Sequence, residues 1–376
     1  MNPSRAVLDV HVLQTLPPSC LNRDDTGSPK SALYGGARRA RVSSQSWKRA
    51  TRRYFNEHLA YGTGQGTRTR KLPHLFVERL TERLGERAND EARIVKLANT
   101  AAGLLVGVKP DRLKKLQASD VPADLDYALF VSASTIDSAV DQLLAAYDGA
   151  ELDEGALKAA MGSGHSLDVA LFGRMIADTP ELNIDAACQV AHAISTHRVA
   201  SEFDFYTTVD DLAGDEEPGA AMMGYVEFNS ATLYRYATLS LGRLADNLGD
   251  TGAAAAGARA FVEAFAKSLP TGHQNTFAAM TLPDVIFAAL RTDQPVSLVG
   301  AFEAPVEGSD GYVADSARRL AEHARHLDDL YGVRRAAGWA SYTPAAGDLS
   351  THLGDSIAFP QLLDEIEAAA AAQLER

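Results

Sequence analysis

Two periods of hydrophobic and polar positions follow one another along this chain, and the changes between them predict its elements. From Ala6 to Gln14 the run AVLDVHVLQ sets Leu8, Val10 and Val12 against Asp9 and His11, the period of two expected of a half-buried strand. Pro17-Pro18-Ser19 and then LNRDDTGSPK read as a long polar loop of turn formers. Ser43 and Ser44 stand where a helix needs a cap, and from Gln45 to about Leu59 the residues Trp47, Ala50, Thr51, Tyr54 and His58 recur at helical spacing. The opposite face gathers Gln45, Lys48, Arg49, Arg52 and Arg53. A helix is predicted that packs one face on a sheet and presents a basic stripe outward.

Tyr61 to Lys71, YGTGQGTRTRK, lacks large aliphatic residues and reads as a basic loop. From Leu72 to about Met161 the apolar positions keep helical spacing, as in Leu75, Val77, Leu80, Leu84 and in Ile94, Leu97, Ala98, Ala101, Leu104, Leu105, with breaks at Pro110, Pro122 and Gly149. This is an inserted helical subdomain. Beyond it the pattern predicts a strand over Ser166 to Ile176, a helix over Asn183 to Val199, strands over Tyr225 to Phe228 and Thr232 to Leu241, and a helix over Ala253 to Ser268. Two further strands are expected at Thr276 to Leu282 and Val285 to Ala289. The order is that of an α+β fold with a ferredoxin-like, RNA-recognition-type sheet carrying insertions.

Charge sharpens the picture. Between Thr26 and Val77 stand Lys30, Arg38, Arg39, Arg41, Lys48, Arg49, Arg52, Arg53, Arg68, Arg70 and Lys71 against one acid, Glu57. The 376-residue chain carries −13 at pH 7, so with +10 in this window the remainder carries −23. A polyanion meets one attractive surface and is repelled elsewhere, which suits a nucleic acid in a defined track. Residues Ala200 to Gly224 concentrate Glu202, Asp204, Asp210, Asp211, Asp215, Glu216 and Glu217 with Phe203, Phe205, Tyr206, Val209, Met222 and Met223. So acidic a stretch with aromatic tips reads as a projecting arm that packs on a partner. Asp9 and His11 interrupt the apolar run near the start, and no stretch reaches the roughly 20 apolar residues of a membrane span. A cytoplasmic protein without membrane contact is expected.

The densest constellation for binding is Gly35-Gly36-Ala37-Arg38-Arg39-Ala40-Arg41-Val42-Ser43-Ser44-Gln45-Ser46-Trp47-Lys48-Arg49. Paired glycines permit close backbone approach, the helix start offers free N–H groups to a phosphate, and the cations line the next turns. No GxxxxGK[ST] occurs, which argues against nucleotide hydrolysis. Cys20 and Cys188 form no CxxC or CxxH pair, and His192 and His197 are five apart, so neither a metal nor another cofactor is expected. Asp24 and Asp25 beside Arg23 read as turn formers, with a metal-dependent ribonuclease as the alternative. A protein-only scaffold, its basic face on an acidic partner, is the third reading.

Pro18-Ser19-Cys20-Leu21-Asn22-Arg23-Asp24-Asp25, Gly35 to Arg39 and Arg41-Val42-Ser43-Ser44-Gln45-Ser46-Trp47-Lys48-Arg49-Ala50 resemble the CasC family, the backbone subunits of type I-E CRISPR Cascade surveillance complexes. The likeness continues in Gly173-Arg174-Met175, Ala191 to His197, Val209 to Leu212 and Leu233 to Ala237, and runs to about residue 290. It implies a hand: a palm from residues 1–60, 164–199 and 225–376, the last with a C-terminal helix, helical fingers from 61–163, and a thumb from 200–224. It implies a non-catalytic, oligomeric ribonucleoprotein subunit of antiviral defence, whose copies polymerise along a CRISPR RNA. The bases stay free to pair with target DNA, and other Cascade subunits complete the complex. By position, Arg23, Arg41, Ser43, Gln45, Lys48, Arg49 and Arg52 are implied to hold RNA, and Met175 to press on a kinked nucleotide. Tyr206, Thr207, Val209 and Met223 are implied as the thumb contact. Where the family often has a lysine this chain has Ala37, and the contact falls to Arg38 or Arg39.

Overall fold

The computed structural model describes residues 6–59, 66–208, 222–308, 310–333 and 335–376. Along the chain run β1 (Val7–Ser19), β2 (Ser31–Tyr34), β3 (Ala37–Val42), α1 (Ser44–His58), β4 (Gly66–Thr69), α2 (Leu72–Leu84), α3 (Glu91–Leu105), α4 (Pro110–Gln117), β5 (Leu129–Ser132), α5 (Ala133–Tyr147), α6 (Glu154–Met161) and α7 (Leu167–Phe172). There follow β6 (Cys188–Val190), β7 (Ala193–Ser195), β8 (Glu202–Thr208), β9 (Met222–Ser240), α8 (Leu241–Leu248), α9 (Thr251–Lys267), α10 (Gln274–Phe277), β10 (Val285–Arg291), α11 (Val313–Tyr331), β11 (Arg335–Tyr342), α12 (Ser350–Leu353) and α13 (Phe359–Leu374). They form two units: Met1–Glu57 with Val190–Thr238 and Ala258–Ala369, and His58–Gln189 with Leu239–Gly257 and Ala370–Arg376.

The first unit is built on a sheet of order β11-β10-β1-β9-β7-β3-β2, with β8 also pairing β9. The pairs β1/β10, β10/β11, β7/β9, β3/β7 and β2/β3 are antiparallel, so the fold is α+β. The interior strand β1 is not half-buried as its alternation predicts. Leu8, Val10 and Val12 are buried, and so are Asp9 and His11. The register puts His11 beside Phe287 and Leu13 beside Val285, on the face where α11 packs Ala317, Leu320, Ala321 and Ala324. Asp9 is tolerated there because Arg291 Nε and Val296 N–H donate to its Oδ2 at 3.1 and 2.9 Å, and Tyr236 OH to its Oδ1 at 2.9 Å. Burial nevertheless pushes its carboxyl above the ordinary range. His11 Nδ1 meets Tyr234 OH at 2.9 Å, and burial holds the imidazole down at about 3.

Other expectations are corrected. Ser166 to Ile176 holds the short helix α7 instead of a strand, ending at Gly173 with φ 76°. Asn183 to Val199 holds β6 and β7 instead of a helix. The spacing of Ala187, Val190, Ala191 and Ile194 suits a helix, but β7 gains ladder bonds from β3 on one side and β9 on the other. The two strands expected from Tyr225 to Leu241 are one, β9, and the strand expected at Thr276 to Leu282 is α10 and a loop. Pro17 and Pro18 belong to β1, not to the loop after it.

In the second unit α2, α3, α5 and α6 bury Leu72, Phe76, Leu80, Ile94, Ala98, Val140, Leu143 and Leu157 in one core. Asp90 and Asp153 cap α3 and α6 by accepting from Arg93 N and from Gly155 N and Ala156 N. The loop expected over Tyr61 to Lys71 ends instead in β4, which pairs antiparallel with β5; residues 61–65 lie outside the described ones. No described helix is long and apolar enough to cross a membrane.

Candidate nucleic-acid interface

The basic helix forms where its spacing predicts, held by its cap and by its buried face. Ser43 Oγ accepts from Ser46 N at 3.3 Å, satisfying a donor of the first turn, while Asn22 Oδ1 accepts from Ser43 N at 2.9 Å and pins the preceding loop to the helix start. Trp47, Ala50, Thr51 and Phe55 form the buried face; Tyr54 is half-buried, and His58, expected on that face, is exposed. The Trp47 indole lies 3.7 Å from the Arg235 guanidinium, which is itself buried and donates to Gln14 Oε1 at 2.5 Å. That stack fixes the roll of α1 about its axis.

Outward, Gln45 and Arg49 are exposed, and Lys48 and Arg52 are half-buried. Arg53 is exposed too, but Glu57 one turn on holds it at 2.9 Å. With no acid in its first turn, the helix presents its positive dipole end and its cations together.

The hairpin before α1 divides its arginines sharply. Gly35 and Gly36 make the β2–β3 turn with φ 55° and 69°, which explains the pair without a ligand. Arg38 is exposed, with Nη1 donating to Ser31 Oγ at 3.0 Å. Arg41 is half-buried and donates to Ser31 O at 3.3 Å and His192 Nδ1 at 3.1 Å. Arg39, expected as an RNA contact, is instead fully buried. It donates to the carbonyls of Ser195, Thr196, Phe302 and Glu303 at 2.9, 2.9, 2.9 and 3.1 Å. Its alternation with Arg38 along β3 turns it inward, where it ties that strand to two other segments. Ser43 is likewise buried, and its hydroxyl is engaged as the cap.

Arg23, Asp24 and Asp25 are exposed. Asp24 is a turn former: its Oδ1 accepts from Thr26 N, Thr26 Oγ1 and Ser28 N at 3.0, 2.7 and 3.0 Å, and the Thr26 hydroxyl above all holds its carboxyl below the usual range. Among the described residues no three His, Cys, Asp or Glu side chains come together as a metal site.

The arm begins as a hairpin of β8 with the start of β9, and its register gives it two faces. Phe203 pairs with Glu227, Phe205 with Tyr225 and Thr207 with Met223, so these share one face. Phe203, Phe205, Met223 and Tyr225 are all largely exposed among the described residues and make an apolar face. Glu202, Asp204 and Tyr206 take the other face; Tyr206 sits opposite Gly224, where a Cβ would strike its ring. The expected contact residues Tyr206 and Met223 therefore point to opposite sides. Val209 and the acids Asp210, Asp211, Asp215, Glu216 and Glu217 lie outside the described residues.

Met175, in the second unit, is 83% exposed and follows the buried Arg174, whose Nε and Nη2 donate to Leu182 O and Met161 O at 2.9 and 3.0 Å. A methionine so displayed is held by a rigid neighbour. Arg198 and Glu227, near the root of the hairpin, carry no motif; the fold brings them to one cleft, and sequence spacing alone does not show it.

Two solved chains are similar over their whole length. One comes from a structure of a CRISPR RNA-guided surveillance complex, pre-nicking, with 33% identity, a TM-score of 0.81 and coverage of 97% of this chain and 100% of that one. The other, from a CRISPR RNA-guided surveillance complex, has 30% identity, a TM-score of 0.63 and coverage of 97% and 99%. No curated protein matches the chain. The CT1975-like protein family matches residues 8–365, and the chain belongs to that family.

Proposed function

We propose that this chain is a CasC-type backbone subunit of a type I-E CRISPR surveillance complex, a non-catalytic protein whose copies line one CRISPR RNA. The observation that carries the reading is the outward basic face of α1, capped and locked onto a sheet, in a chain of net charge −13. The fold around that helix is the one shared at a TM-score of 0.81 with a chain of a CRISPR RNA-guided surveillance complex. In this reading the sheet is an RNA-recognition-type palm, the helices of the second unit are fingers and the β8–β9 hairpin is the root of a thumb.

Gln45, Lys48, Arg49 and Arg52 hold phosphates, joined by Arg23, Arg38 and Arg41; Met175 presses on a displaced nucleotide. Contacts of that kind fix the register of the RNA and leave its base edges free for target DNA. The outer part of the hairpin's apolar face, with Phe205, Thr207, Met223 and Tyr225, meets the RNA of a neighbouring copy, since aromatic faces accept any base. In this reading Asp24 serves its own turn, whose three donors its Oδ1 receives. The test is co-expression with a CRISPR array, followed by purification and a gel of the extracted nucleic acid. A discrete band removed by ribonuclease and untouched by deoxyribonuclease is expected; absence of nucleic acid overturns the reading.

A further inference from the structure

At the root of the hairpin lies an open cleft of about 710 Å³ whose polar walls include Arg38, Arg198, Ser31, Ser201, Asp24 and Glu227. Its size is that of a small-ligand site. The two arginines approach from adjacent extended segments, because Val199 N donates to Arg38 O at 3.0 Å. Ser31 Oγ orients the Arg38 guanidinium from below at 3.0 Å. Glu227 stands on β9 directly across from Phe203, whose ring is 65% exposed on the same face of the hairpin. The lining holds two cations and two carboxylates, with the Phe203 ring beside Glu227 outside it, and this set does not suit a bare anion, since Asp24 and Glu227 repel it. The set suits a ligand that carries a phosphate, a hydrogen-bond donor and a flat face together.

We propose, resting on the RNA-binding reading above, that this cleft holds one ribonucleotide unit and distinguishes RNA from DNA. Arg38 and Arg198 take the phosphate, Glu227 accepts the ribose 2′-hydroxyl, and Phe203 stacks on the base. A carboxylate can only accept, and phosphates have no hydrogen to give; in a guide whose sequence varies the constant donor is the 2′-hydroxyl, the group by which a protein tells the two nucleic acids apart. Stacking on Phe203 is equally indifferent to base identity. The cleft thus adds selectivity for the sugar without adding any for the sequence.

The probes are labelled single strands of one sequence as RNA, DNA and 2′-fluoro RNA, titrated by fluorescence anisotropy against wild type, Glu227→Ala, Glu227→Gln and Arg198→Ala. A hydrogen bond to a charged acceptor corresponds to about tenfold in affinity. Wild type should bind RNA about tenfold more tightly than either strand lacking the hydroxyl. Glu227→Ala should lose that factor on RNA only and bring the three probes together, with Glu227→Gln in between. Arg198→Ala should weaken all three equally. An unchanged RNA-to-DNA ratio in Glu227→Ala overturns the proposal. So does tighter binding of every strand by that variant, which would make the carboxylate a mere repulsive charge. Wild type that binds RNA without preference sinks the proposal alone, whereas wild type that binds no strand sinks the RNA-binding reading with it.

Discussion

Arg38 and Arg39 are neighbours in sequence with opposite fates, and replacing each by alanine separates surface chemistry from fold. Arg39→Ala removes one guanidinium that four carbonyls share, those of Ser195, Thr196, Phe302 and Glu303. Each such bond contributes about 1 kcal/mol net, more with a charged donor, and the emptied space adds a cavity cost, so the loss should be about 4 kcal/mol. For a unit of this size 1 kcal/mol moves the midpoint by about 2–4 °C, which places the variant roughly 10 °C below wild type. Differential scanning fluorimetry measures this, and anisotropy with labelled RNA well below the transition measures binding. Arg39→Ala should keep the RNA affinity of its folded fraction, whereas Arg38→Ala should melt within about 1 °C of wild type and bind RNA more weakly. An Arg39→Ala protein that melts like wild type yet loses RNA affinity would refute the reasoning, because it would make Arg39 a ligand contact.

On α1, Lys48→Ala, Arg49→Ala or Arg52→Ala should each weaken RNA binding similarly for all sequences and lower the slope of log affinity against log salt by about 0.7 per lost contact. Sequence-dependent loss would count against backbone recognition. His11 is held neutral by burial at about 3, far below its ordinary 6.5, so the unfolded chain takes up the proton first. Its stability contribution is therefore complete above pH 6.5 and declines as pH falls from there towards 3, by about 2 kcal/mol at pH 5. Urea titrations at pH 7 and 5 should show a smaller difference for His11→Phe, which keeps the stack on Tyr236 and Phe287; an equal difference places the titration elsewhere. Asp24→Ala with Asp25→Ala should leave RNA as intact as wild type does in magnesium, and cleavage by wild type that vanishes in this double variant would instead establish a nuclease.

What the sequence conveyed, and what it did not, follows the range of the forces involved. The helix α1 was legible because its pattern is local: a serine cap, then Trp47, Ala50 and Thr51 on one stripe. The basic face was legible for the same reason. The burial of Asp9 and His11 is not legible in the alternation, which reports only that one face is apolar; the second face of β1 is closed by α11 and by Arg291, far along the chain. The segment that became β6 and β7 has helical spacing, and only its partners β3 and β9 decide against it. Arg39 differs from Arg38 solely by the side of β3 on which it falls, and the carbonyls that receive it come from Ser195 to Glu303. The two faces of the β8–β9 hairpin likewise depend on register, which puts Tyr206 over Gly224 and away from Met223.

Multiple copies on one RNA are the centre of the account, and the mass of the particle as a function of RNA length tests them most directly. Light scattering of the purified chain on single-stranded RNAs of increasing length should show the mass rising in steps of one 40.1 kDa chain as each further site becomes available. A variant with residues 202–224 replaced by a short Gly-Ser turn should bind short RNA weakly and lose the cooperative growth. A particle that holds one chain whatever the RNA length, or equal masses for the two proteins on long RNA, would contradict the account.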